Sequence, residues 1–286
     1  MAIGIACSSG SYKGVFVHGV LSAFTEGNLY ADAYATASSS VVPGAFAAIS
    51  QLEYLNGVSY WKQAFRSYKE HDSNISQAIL DGIKVIYPLL SDMLFKAQIA
   101  RFCVAVSAVL TKEAAEQTQG EGARRLGQQL ILATRKRDTT WADSNLETRL
   151  FDTKAEKSEL RLTPENLGQV FYATTRMLHA WKEPAWIDNR PYIDASYTCL
   201  CPAIQLVELG YSQVIAISPE PREFYVDLFQ SKVLPESYRG TTILKIQPQC
   251  NLRDMGVDYL AVSDEGFERV YEIGIQAGKD FLRRCL

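Results

Sequence analysis

Twice within its first fifty residues the chain runs a short apolar strand into a small polar turn and then a helix, and this repetition limits the fold more than any other feature. Strand IGIAC (3–7) enters the turn SSGSYKG (8–14), and a helix-like stretch near 14–27 follows, with Val15, Val17, Val20, Leu21 and Phe24 on one stripe. Strand DAYAT (32–36) then breaks into TASSSVVPG (36–44) and an alanine-rich helix near 39–50. Units of this length are βαβ segments, which predict a parallel sheet with helices on its faces.

The same reading extends along the chain. GQQLILATR (127–135), TRLFD (148–152), QVIAIS (213–218) and TTILKIQP (241–248) carry strand signals. A helix is expected from Thr163, with Pro164 at its first position, Glu165 and Asn166 in its first turn, and Leu167, Val170 and Phe171 on its apolar face. PAIQLVELG (202–210) reads as a short helix ending in glycine, and 264–283 as the last helix. Residues 58–120 read as mostly helical: Phe95, Ile99, Phe102, Cys103, Val106 and Leu110 fall at helical spacing, either facing the core or forming an apolar cap over a site. KEAAEQTQGEGARR (112–125) reads as a helix end and a loop. With no internal repeat or linker, the expectation is one domain over 1–286, a three-layer α/β/α fold with a mainly parallel central sheet and a helical insert or cap at about 58–120.

Composition excludes several functions. A formal net charge of −3 and a pI near 5.7 give no electrostatic case for nucleic acid; the basic run RKR (135–137) reads as a solvated strand end. The start of the chain lacks the basic and long apolar regions of a signal peptide, and no apolar run approaches the ~20 residues of a membrane span. Six cysteines are scattered without the spacing of a disulfide framework, and His18, His71 and His179 are isolated, so neither a structural zinc site nor any other metal is expected. These features predict a soluble protein of a reducing compartment, the cytoplasm.

Three segments carry chemistry. A strand that turns abruptly into a helix exposes one side chain above the helix amides, where a nucleophile meets donors for a developing oxyanion. Ser38 has that place, flanked by Thr36, Ser39 and Ser40; the same serines also read as a simple helix cap. The loop Gly10, Ser11, Tyr12, Lys13, Gly14 can turn its amides towards an anion, or be an ordinary turn. It lacks the G-K-[ST] ending of a phosphate loop and the G-x-G-x-x-G of a dinucleotide loop. Asp194 ends an apolar run before a tight turn, either forming that turn or acting as the base that a serine nucleophile needs. His18 reads as a packed or rim residue and His71 as a surface one.

Taken in order, these segments resemble the patatin-like phospholipases, in which G-G-G-x-[KR]-G forms the oxyanion hole, G-x-S-x-G carries the nucleophile and D-G-[GA] the aspartate. Here they read SGSYKG (9–14), TASSS (36–40) and DAS (194–196). The flanks HGVLSAFTEGN (18–28), VVPGAFAA (41–48), ATTRMLHAWKEPAWIDNRPYIDAS (173–196) and PAIQLVELGYSQVIAIS (202–218) are similar to the family's as well. The resemblance covers about residues 2–50 and 127–220, and five motif glycines are replaced, by Ser9, Ser11, Thr36, Ser40 and Ala195. It implies a lipid acyl hydrolase with a Ser38–Asp194 dyad, an oxyanion hole at 10–14, a lipid or small acyl-ester substrate, possible peripheral membrane contact and no cofactor. Two alternatives stand beside it: a catalytically silent lipid- or partner-binding protein, and an acyl-carrier-dependent transferase, which would set a histidine beside the nucleophile. At the elbow, Thr36 and Ser40 are expected to crowd each other, so Thr36→Gly is expected to raise activity.

Overall fold

The computed structural model of the chain describes residues 2–259 and 261–285, with the Cys285 side chain outside the described part. Its strands are β1 Ile3–Cys7, β2 Ala33–Ala37, β3 Arg101–Val109, β4 Leu146–Asp152, β5 Trp186–Ile187, β6 Arg190–Ile193, β7 Gln213–Ile217, β8 Ser237–Tyr238 and β9 Thr241–Ile246. They form one sheet in the order β5-β6-β3-β2-β1-β7-β9-β8, with β4 also on β3. The run β3-β2-β1-β7-β9 is parallel throughout. The helices are α1 Gly14–Glu26, α2 Val41–Ala48, α3 Val58–Glu70, α4 Ile75–Met93, α5 Lys112–Gln119, α6 Ala123–Lys136, α7 Thr140–Asn145, α8 Pro164–Thr175, α9 Ala203–Glu208 and α10 Asp264–Cys285.

Alternation along the strands makes the three layers. Ile5, Cys7, Tyr34, Phe102, Val104, Val106, Ile215 and Ile217 point to one face, into a core shared with α1, α2, α8 and α10. Ala6, Ala33, Ala35, Cys103, Val214 and Ala216 point to the other and meet Leu206 and Val207 of α9. A side-chain period of two with both faces covered is what an α/β/α sandwich requires. Among the described residues no helix is long and apolar enough to cross a membrane.

Three local expectations are corrected. Residues 101–109, read as part of a helix, are the strand β3, buried along nearly its whole length. A surface helix would bury one stripe of this run, whereas a central strand buries both faces. At roughly 1.5–3 kcal/mol for each large apolar side chain removed from water, that difference outweighs helix-propensity differences of at most about 0.7 kcal/mol per residue. GQQLILATR, read as a strand, belongs to α6; Ala123, Gly127 and Leu130 form its buried face at spacings of four and three, and RKR closes the helix with Arg137 in the left-handed region. KEAAEQTQ is a helix, α5, capped by the Thr111 hydroxyl, which accepts from the Ala114 amide at 3.1 Å. The insert is therefore helical only in part: α3 and α4 join the helical layer against α10 and α8.

One strand arrangement creates the site. β4 occupies one edge of β3 along Cys103–Val109. β2 occupies the other edge only as far as Ala37 opposite Ala105. β6, paired with Ser107 and Ala108, therefore takes up the edge where β2 leaves it, running antiparallel to β3. Its last residue is Ile193. The residue after each strand, Ser38 and Asp194, is delivered to the same gap.

Candidate active site

At the end of β2 the chain enters a 3-10 turn, Ser38–Ser40, before α2. Ser38 sits at φ +53°, a left-handed conformation uncommon for a residue with a β-carbon, which persists only where the surroundings hold it. The holder is Thr174 at the end of α8: its hydroxyl accepts from the Ser38 amide at 2.9 Å and donates to the Ala105 carbonyl at 2.7 Å. The Ser38 side chain donates to Asp194 Oδ2 at 2.8 Å.

Asp194 is fully buried. Its amide donates to the Arg176 carbonyl at 3.0 Å, and its own carbonyl accepts from the Ser107 hydroxyl at 2.8 Å. Its other carboxylate oxygen, Oδ1, accepts from the Ser196 amide at 2.7 Å and from the Ser196 hydroxyl. Burial pushes the carboxyl up to about 6, against the hydrogen bonds from Ser196 and Ser38, which favour the charged form. A carboxylate with this affinity and this contact can take the proton of Ser38 near neutral pH.

The 10–14 loop lies beside this turn. The Ser9 amide is taken by the Leu200 carbonyl at 2.8 Å and the Lys13 amide by the Gly10 carbonyl at 3.0 Å, while the Gly14 amide closes the turn on Ser11 and Tyr12. Among the described residues nothing accepts from the amides of Gly10, Ser11 and Tyr12. Three adjacent free donors are suited to an oxyanion. The side chains anchor the loop instead. The Tyr12 ring packs edge-on against Phe65 of α3 and against Phe267 of α10, each at 5.6 Å. Buried Lys13 pairs with Glu220 and stands 4.4 Å over the Tyr259 ring. At Gly10 a β-carbon would lie 2.6 Å from Pro219, so glycine lets this loop approach the 218–220 turn.

The residues that stand where the resemblance expects glycine are each bonded or packed. The Ser11 hydroxyl donates to the Tyr259 carbonyl at 2.6 Å, from a backbone at φ +51°. The Ser9 hydroxyl lies 3.0 Å from that of Ser196. Thr36 donates to the Cys103 carbonyl at 3.2 Å, and Ser40 to the Cys7 carbonyl at 2.8 Å. Ala195 packs on Ala37, Ala105 and Cys199. The expected crowding of Thr36 against Ser40 thus has a different outcome: the two side chains bond to separate backbone carbonyls, and the Thr36 methyl is received by Gly44. Ser39 Oγ is buried without a partner among the described residues, and it stands with the Trp61 ring against the bare α-carbon of Gly14.

The histidines lie elsewhere. His18 is buried, accepts from Trp61 Nε1 at 3.1 Å through Nδ1, and is held neutral by burial, its pKa lowered to about 3. His71 pairs with Asp81 at 3.0 Å, and His179 follows α8 with burial lowering its pKa. The expected cover over the site is also redistributed. α3 backs the loop with Trp61 and Phe65, whereas the segment that reaches over it is the turn bridged by Val257 and Val262, through Tyr259. Sequence reasoning missed Thr174, Ser196, Gly44 and Tyr259. Only Ser196, two residues beyond Asp194 and able to close a turn onto it, left a readable signal.

No protein-family model matches the chain, and no curated protein matches it.

Proposed function

We propose that the protein is a patatin-like lipid acyl hydrolase in which Ser38 is the nucleophile and Asp194 the base. The observation that carries this reading is the 2.8 Å hydrogen bond from Ser38 Oγ to a fully buried carboxylate, made at a left-handed strand-to-helix turn beside three unoccupied amides. Ser38 Oγ attacks the ester carbonyl carbon while its proton passes to Asp194 Oδ2. The carbonyl oxygen takes up the negative charge against the amides of Gly10, Ser11 and Tyr12. Collapse expels the alcohol, which leaves with the proton from Asp194. Water then attacks the acyl-enzyme, Asp194 accepts its proton, and the proton returns to Ser38 as the fatty acid departs. No step calls for a metal or an organic cofactor. The choice of lipid esters, met by peripheral contact with a membrane from the cytoplasm, rests on the order and flanks of the three motifs.

A silent, lipid- or partner-binding role is the second reading, favoured by one observation: the Ser38 residue is only 7% exposed, with the Tyr259 segment fastened to the neighbouring loop. Labelling with a fluorophosphonate probe separates the two. The hydrolase reading expects stoichiometric labelling of the wild type and none of Ser38→Ala. A folded wild type that takes no label while binding phospholipid vesicles favours the second.

A further inference from the structure

Asp194 receives two serine hydroxyls. Ser38 reaches Oδ2, and Ser196, two residues on in the same turn, reaches Oδ1 through both its amide and its hydroxyl. Behind Ser196 stands Ser9, whose hydroxyl oxygen lies 3.0 Å away on the residue that opens the 9–14 loop. Both serines are buried. An ionised carboxylate only accepts, and each hydroxyl has one proton. The one Ser196 proton therefore faces two acceptors, Asp194 Oδ1 and the Ser9 hydroxyl oxygen. Ser196 thus bridges the base and Ser9, the residue that opens the oxyanion loop.

We propose that Ser196, tethered to Ser9, is a positioning residue for the dyad: it occupies Oδ1 of Asp194, leaves Oδ2 as the acceptor for Ser38, and ties the base to the loop that carries the amides of Gly10, Ser11 and Tyr12. This rests on the hydrolase reading for its catalytic meaning. The Ser196 hydrogen bonds favour the charged carboxylate, because bonds donated to it are lost on protonation, and they oppose the upward pull of burial. The titratable side chains packed around Asp194 do not confuse the effect. Burial pushes the Tyr197 hydroxyl far up, with the Asp194 charge adding to it, and pushes the Cys199 thiol up to about 12. The Arg176 guanidinium is turned away, onto the carbonyls of Thr118 and Glu183. All three keep their protonation through the range in which Asp194 titrates. A simple packing role for Ser196 would leave that titration where it is.

Two measurements on the full chain decide it. In the first, the Asp194 carboxyl carbon is titrated by NMR in wild type, Ser196→Ala, Ser196→Thr and Ser9→Gly. The midpoint is expected to rise by about one pH unit in Ser196→Ala, not to rise in Ser9→Gly, where the Ser196 proton is left to Asp194 alone, and to return in Ser196→Thr. In the second, the rate of fluorophosphonate labelling is followed against pH. Its acidic limb is expected to move up in parallel, so that Ser196→Ala labels about tenfold more slowly below the midpoint and nearly normally well above it. A midpoint unmoved in folded Ser196→Ala overturns the proposal. A shifted midpoint in a protein that takes no label at any pH keeps the positioning role and removes the hydrolase reading instead.

Discussion

The methyl group of Thr36 points at the bare α-carbon of Gly44, so closely that a β-carbon there would lie 2.2 Å from it. The elbow thus accommodates a β-branched residue by means of a glycine one turn into the following helix. Gly44→Ala is expected to destabilise the protein by ~1–3 kcal/mol, as overpacking of a rigid core does. Thr36→Gly is also expected to lose stability, through its bond to Cys103 and the added chain entropy, and so not to raise activity. The double variant is expected to recover part of the loss, which denaturant melts arranged as a double-mutant cycle would read as coupling. Strict additivity would mean that the two residues do not share the space.

On the hydrolase reading, Ser38→Ala and Asp194→Asn are each expected to lower turnover of a short acyl ester by at least about 10³-fold, with the double variant little worse than either, since a nucleophile and its base act as one unit. Undiminished hydrolysis by Ser38→Ala would move the chemistry elsewhere.

Because the carboxyl of Asp194 is raised from 3.8 to about 6 on folding, the native state holds a proton that the unfolded chain has released between those values. Its contribution to stability is complete below about pH 4 and is lost as the pH rises through 6, a difference of about 3 kcal/mol. Asp194→Asn is expected to flatten this part of the stability curve and to be the more stable protein at pH 7.5. Thermal melts from pH 4 to 8 that show parallel curves for the two proteins would contradict it. For activity the sign is opposite: Asp194 must be ionised to accept a proton, so labelling of Ser38 is expected to rise with pH around 6.

The Tyr259 segment is held to the loop by the Ser11 hydroxyl and by Lys13 under the ring. Glycine fits the left-handed backbone of residue 11 without strain, so Ser11→Gly removes the bond alone. Chymotrypsin cleavage after Tyr259, whose residue is 55% exposed, is expected to quicken severalfold in this variant with an unchanged melting temperature. Equal cleavage rates would show that the segment is fastened by other contacts.

Local sequence determined much of the frame. The strands at 3–7 and 33–37, their polar turns and the helices behind them follow from apolar runs bounded by small residues. The helix at 164–175 begins where Thr163 and Pro164 place it, with the Asn166 side chain closing back on the Thr163 amide at 2.9 Å. Where a run is buried on every side its period carries no information, and Phe102 to Val109 was for that reason indistinguishable from a helix. Ser38 and Asp194 were legible as candidates because a strand-ending serine and a turn-forming aspartate are written locally. Their contact was not. It depends on β2 stopping at Ala37 so that β6 can take the same edge of β3, and hydrogen bonds between strands some ninety residues apart leave no trace in either segment. The same holds for Thr174, which fixes the Ser38 backbone from another helix, and for Gly44, whose missing side chain has meaning only beside Thr36. Sequence named the two candidate groups; the sheet edge decided that they meet.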